Sequence, residues 1–126
     1  MSRGFDDTRT YDQLTALAAP LTAAGAQLVT IGLFDLARSG LVPPPHAAAM
    51  ADRFDHLDTI TARVAAHHHG VHTANHHHPL AADPSIFASD HIHANARGHA
   101  VAASTLIRAL MTLHTAHRRP TTPNPS

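Results

Sequence analysis

Two apolar, strand-type runs, each arriving directly behind a helix-length segment and a glycine, constrain this chain more than any other feature. In residues 8–24, Tyr11, Leu14, Leu17, Ala18 and Leu21 recur at helical spacing, and Gly25 follows as a stop signal. Pro20 inside that stretch predicts a kink or local break. Residues 27–33 (Gln-Leu-Val-Thr-Ile-Gly-Leu) are short, apolar and partly β-branched, the signature of a buried strand. The pattern then repeats. After a loop over 34–46 closed by Pro43-Pro44-Pro45, a helix over 47–68 lines one face with Met50, Phe54, Leu57, Ile60 (or Thr61) and Val64. Asp52, Arg53, Asp55, Asp58 and Arg63 fall mostly on its other face. Gly70 is read as its stop, and residues 71–75 as a second, weaker strand.

Helix, glycine, strand is the αβ half of a parallel βαβ unit. Alternation of helices with buried strands predicts a three-layer α/β/α fold with a parallel sheet. Two strands are too few for such a sheet, which is normally covered on both faces, so N-terminal strands are expected to be missing from this chain. The rest is a long loop over 76–94 with a helical turn at 84–88, then a third helix over 96–114 capped by Asn95. At 126 residues the chain holds one domain at most, placed at 1–117, with 118–126 as a disordered Pro/Thr-rich tail.

Composition closes several routes. Every base is Arg and every acid Asp, nine of each, so formal net charge is zero with His neutral and no basic field exists to attract nucleic acid. The absence of Cys removes disulfides as a guide to compartment. No run approaches the roughly 20 apolar residues of a membrane span. The first residues, Met1-Ser2-Arg3-Gly4-Phe5-Asp6-Asp7, lack the apolar core of a signal peptide, which as written implies a cytoplasmic location.

The chemistry concentrates in Asp90-His91-Ile92-His93-Ala94-Asn95-Ala96-Arg97-Gly98-His99. A serine hydrolase needs an imidazole that takes the hydroxyl proton and returns it to the leaving group, and a carboxylate that fixes its tautomer and stabilises its cation. Asp90 and His93 are near enough in sequence to form that pair from one loop. An Asp-x-x-His, a small residue, Asn, then Gly-His opening an amphipathic helix resembles the last sequence block of the SGNH (GDSL-type) serine hydrolases. Upstream, Ala24-Gly25-Ala26 leading into a strand, Phe34-Asp35 after it, and His78-Pro79-Leu80-Ala81-Ala82-Asp83-Pro84 running on to Ser89-Asp90 fit the same family in order. The resemblance covers residues 4–114. It implies a flavodoxin-like fold, hydrolysis of small carboxylic or lipid acyl esters without a cofactor, His93 as catalytic base and Asp90 as its acidic partner.

The departures are as informative. That family's nucleophile lies in a Gly-Asp-Ser block, and its oxyanion hole draws on a Gly in a second block and an Asn in a Gly-x-Asn-Asp block. None of the three occurs in these 126 residues, and Arg3-Gly4-Phe5-Asp6 resembles the segment just downstream of the third. Ser89 adjoins Asp90, but neighbours on a loop need not face each other. One oxyanion donor alone is typically worth about 10²–10³ in turnover, so this polypeptide is expected to be inactive by itself. Unpaired sheet edges also predict self-association.

Fourteen His invite a reading from another class, a His-rich metal-binding or interaction protein. His68, His72 and His76 are its candidate ligands. Successive helical residues point about 100° apart, so few of His67-His68-His69 and His76-His77-His78 can share an ion, and no His-Glu-x-x-His or Cys pattern is present. Without a metal, the first cluster caps a helix C-terminus and the second is loop surface.

Overall fold

The computed structural model describes residues 6–118. It is a mixed α/β arrangement of three helices and a two-stranded parallel sheet. Helix α1 (Asp7–Ala23) starts at Asp6, whose carboxylate accepts from the backbone N–H of Arg9 at 2.9 Å. It runs through Pro20 and ends in a Schellman turn, with Ala26 N–H bonded to Leu21 C=O and Gly25 N–H to Thr22 C=O. The chain enters β1 (Val29–Thr30) three residues later.

Helix α2 (Pro44–His67) begins earlier than its apolar spacing suggests. Pro44 and Pro45 occupy its first turn, where a missing N–H costs nothing, so the proline run opens the helix and does not close a loop. Its exit repeats that of α1: Gly70 N–H bonds Ala65 C=O and His69 N–H bonds Ala66 C=O. Here the left-handed residue is His69, at φ 57°, and Gly70 serves a different purpose from the one read in the sequence. A Cβ on Gly70 would lie 2.5 Å from the carbonyl oxygen of Leu28, so the glycine lets the start of β2 (Val71–His72) close on β1.

The strands pair in parallel with Val29 opposite Val71 and Thr30 opposite His72, and the ladder is extended by Thr73 N–H to Thr30 C=O at 2.8 Å. Both are shorter than the apolar runs that announce them. Ile31 is 62% and Leu33 49% exposed, contrary to a fully buried strand. The cause is pairing: β1 has a neighbour only at β2 among the described residues, and beyond Thr73 the chain turns away into a 3-10 turn at Asn75–His77.

Helix α2 packs on α1 and on both strands, and α3 (Ala96–Arg118) packs on β2 and the turns that follow it. The buried apolar set includes Ile60, Val64 and Ala65 from α2, Ile86 and Phe87 from the loop before α3, and Ala109 and Leu113 from α3, and half of the whole set is Ala. Such a core gains little from apolar burial, at about 25 cal/mol per Å². Helix α3 includes Arg118, assigned to the tail in the sequence reading, whose remaining residues 119–126 lie outside the described part. No helix among the described residues is long and apolar enough to cross a membrane.

One polar clasp between α1 and α2 is pH-dependent. His56 Nδ1 donates to both Asp7 carboxylate oxygens at 3.1 and 3.0 Å, and its Nε2 lies 3.4 Å from Asp52. These carboxylates, Asp7 first, raise the His56 pKa. A raised folded-state pKa stabilises the fold below the ordinary His value of about 6.5, and the gain is lost as pH rises through the raised value. His56→Ala is therefore expected to lower Tm more at about pH 5.5 than at about pH 9. Equal losses at both pH values would contradict the clasp.

Candidate active site

The loop that carries Asp90 and His93 is built from its two ends inward. Asp83 accepts from the Ser85 N–H at 2.9 Å and starts the 3-10 turn Pro84–Ile86, which buries Ile86 completely. On the far side Asn95 caps α3, its Oδ1 accepting from Gly98 N–H at 3.0 Å, as the sequence predicts. The Asn95 side chain does more than cap. Its Nδ2 donates to the carbonyls of Ser85 (2.7 Å) and Phe87 (3.1 Å), and its backbone N–H to that of Ile86 (2.9 Å). One residue thus holds both ends of the loop. Gly98 completes the closure, because a Cβ there would sit 2.4 Å from the Ile86 carbonyl oxygen.

Between these anchors Phe87 and Ala94 form an antiparallel bridge, and Ala88 N–H donates to His93 C=O at 2.7 Å. His91 takes a left-handed conformation at φ 58° to turn the chain. Asp90 uses one oxygen, Oδ1, to accept from the backbone N–H groups of Ile92 (2.9 Å) and His93 (3.0 Å). Its other oxygen, Oδ2, accepts from His93 Nδ1 at 2.5 Å. The His93 bond first, and then the two backbone donors, hold the Asp90 carboxyl well below the usual carboxylate range. The carboxylate is therefore fixed by its own loop and in turn fixes the imidazole.

With its proton at Nδ1, the neutral His93 ring presents a lone pair at Nε2. The side chain is 79% exposed, and Nε2 has no protein partner among the described residues. No Ser or Thr hydroxyl among them hydrogen-bonds this ring, and Ser89, although next to Asp90, is exposed. The pair has the geometry a general base requires, an exposed imidazole nitrogen with a carboxylate fixed behind the ring. The Phe87 ring, three residues before Asp90, packs edge-on against Phe34 with centroids 6.4 Å apart, and Asp35 N–H bonds Ala81 C=O at 2.9 Å. These contacts bring the loop to the carboxyl-terminal side of the parallel strands, the functional edge of α/β sheets.

The His clusters resolve differently from the metal reading. His68 Nδ1 lies 3.3 Å from the Thr22 hydroxyl, His72 bonds Asp58 and Thr30, and His76 donates from Nε2 to Asp55 at 2.8 Å. Each ring faces a different partner, and no group of three or more potential ligands among the described residues is arranged to hold a metal ion. Nor is the second cluster merely loop surface, since His76 is buried.

Two carboxylate networks lie behind this arrangement, and the sequence reading missed both. Arg38 donates to Asp35 at 2.9 Å and to both oxygens of Asp55 at 2.9 and 2.6 Å, and Asp55 also accepts from His76. Arg38 first and His76 second hold the Asp55 carboxyl far below its ordinary value. Asp35 thus anchors the loop after β1. Asp58, 8% exposed at its side chain, accepts from His72 Nε2 at 2.6 Å on one oxygen and from His77 Nε2 at 3.0 Å on the other. A further buried link joins the segment just past β1 to α3: Asn75 donates to Gly32 C=O at 2.8 Å and accepts from the Thr105 hydroxyl. No family model, curated protein or solved structure matches the chain.

Proposed function

We propose that this chain carries the base-and-carboxylate part of an SGNH-type (GDSL) serine ester hydrolase, with a three-layer α/β/α fold completed by strands outside these 126 residues. The observation that carries the proposal is the Asp90–His93 pair, held at 2.5 Å by a loop that Asn95 and Gly98 lock onto the start of α3. In the proposed reaction a serine hydroxyl stands at His93 Nε2. His93 takes its proton as the serine oxygen attacks an ester carbonyl, then returns that proton to the departing alkoxide. Water repeats the exchange on the acyl-serine. Asp90 keeps the proton-bearing nitrogen turned inward and stabilises the imidazolium that forms. The substrates are small carboxylic or lipid acyl esters, and no cofactor enters the steps.

The state of β1 supports the missing strands. Thr30 directs its backbone groups at β2, so by alternation those of Val29 and Ile31 face an edge with no strand among the described residues. Leu17 and Leu21 of α1 and Ile31 and Leu33 are exposed around it. An uncovered edge of that kind invites pairing with further strands, in a completed sheet or in self-association.

The 126-residue polypeptide alone is expected to hydrolyse p-nitrophenyl butyrate no faster than buffer. Turnover that disappears with His93→Ala would place a nucleophile within these residues and overturn the proposed division of the site.

A further inference from the structure

We infer that the groove beside the free edge of β2 binds an extended acidic peptide segment, which adds to the sheet as a third strand and places a carboxylate on Arg108. This inference does not rest on the ester-hydrolase reading. The groove, about 340 Å³, lies between the β2 edge, the turn at His77 and His78, and the α3 residues Thr105, Arg108 and Thr112.

The backbone makes the first half of the argument. Val71 and Thr73 direct their N–H groups at β1, to the carbonyls of Leu28 (3.0 Å) and Thr30 (2.8 Å). In a parallel ladder the next residue faces the other way, so the N–H and C=O of His72 point to the opposite edge, where no strand lies among the described residues. An extended chain satisfies both groups at once.

The side chains supply the second half. The Arg108 guanidinium has no hydrogen bond or ion pair among the described residues; the Thr112 hydroxyl reaches the backbone carbonyl of that residue, at 2.9 Å, and leaves the side chain free. His78 Nδ1 accepts from Leu80 N–H at 3.0 Å, so the proton of that ring is on Nε2 and is available to an acceptor. The Asp58 carboxylate, the acidic group bonded to groove residues, has its oxygens occupied by His72 and His77. The hydroxyl of Thr105 is likewise spent, on Asn75 and on Ala102 C=O. The groove therefore offers donors with no internal acceptor, one of them a fork suited to a carboxylate.

Fluorescence anisotropy of the full chain with a labelled hexapeptide of alternating Val and Asp tests this. Saturable binding is expected, with affinity falling roughly tenfold or more in Arg108→Gln, and further in Arg108→Glu, as for a charge pair losing one partner. The Lys-for-Asp peptide should bind poorly to the native chain and better to Arg108→Glu. A peptide N-methylated along its pairing edge should not bind. Absence of binding at millimolar peptide, equal affinity in folded Arg108→Gln, equal affinity of the N-methylated peptide, or full competition by equimolar acetate would each overturn the inference.

Discussion

Asp58→Ala is expected to be among the most damaging single substitutions in this chain, although Asp58 lies far from the proposed catalytic pair in sequence. The carboxylate is a buried junction. It receives His72 from β2 and His77 from the turn after it, while His72 passes the contact on to Thr30 of β1 at 2.8 Å. Because His72 donates from Nε2 to a carboxylate, its neutral ring accepts from the Thr30 hydroxyl at Nδ1. One side chain on α2 thereby fixes both strands. Its removal leaves the largely buried His72 donor and the Thr30 hydroxyl without their organising partner. Breaking such a buried pair costs about 2–4 kcal/mol, and in a core this rich in Ala little apolar packing compensates. For a domain of this size that is a fall in Tm on the order of 10 °C or more. Asp58→Asn keeps the shape and one acceptor, so a smaller fall is expected. Urea unfolding showing a loss under about 1 kcal/mol for Asp58→Ala would remove the junction from the account of stability.

The part of the structure that was legible in the sequence is the part whose partners are close in sequence. Asp90 and His93 are three residues apart, and Asn95 reaches Gly98 three residues on, so the short spacing together with the block around it located the pair and the cap. Helix positions followed from the 3.6-residue period. What spacing cannot show is pairing between distant segments. The extent of β1 depends on where β2 turns away, and the apolar run over 27–33 carries no record of that, so Ile31 and Leu33 read as buried and are exposed.

Asp58 illustrates the same limit from the opposite side. On α2 it sits among Asp52, Arg53, Asp55 and Arg63, and a helical wheel assigns it to solvent. Its partners lie 14 and 19 residues away, beyond a turn whose geometry only the fold supplies. A signal was nevertheless present: Asp55 and Asp58 share one helical face, and several His lie just past Gly70. Those carboxylates are the partners that His72, His76 and His77 find in the fold.

The second large effect concerns His93 in a completed site. An N-terminal segment supplying a Gly-Asp-Ser strand turn and a Gly-x-Asn-Asp loop, joined in frame to this chain, should restore a nucleophile at Nε2. Without an acceptor for the serine proton, general base catalysis worth about 10²–10⁴ is lost, and His93→Ala should fall at least that far. Asp90→Asn should fall nearly as far, since an amide cannot hold the imidazole with Nδ1–H inward and leaves its cation unsupported. The Asp90 carboxyl is held below the usual range, so the pair keeps its arrangement down to mildly acid pH and loses it as pH falls through the depressed value.

Hydrolysis of p-nitrophenyl butyrate by that joined protein, with and without His93→Ala, tests the central claim most directly. The account predicts turnover that collapses by at least about 10²-fold in the variant. A joined protein that folds and is labelled on its serine by a fluorophosphonate, yet turns over equally well without His93, would contradict it.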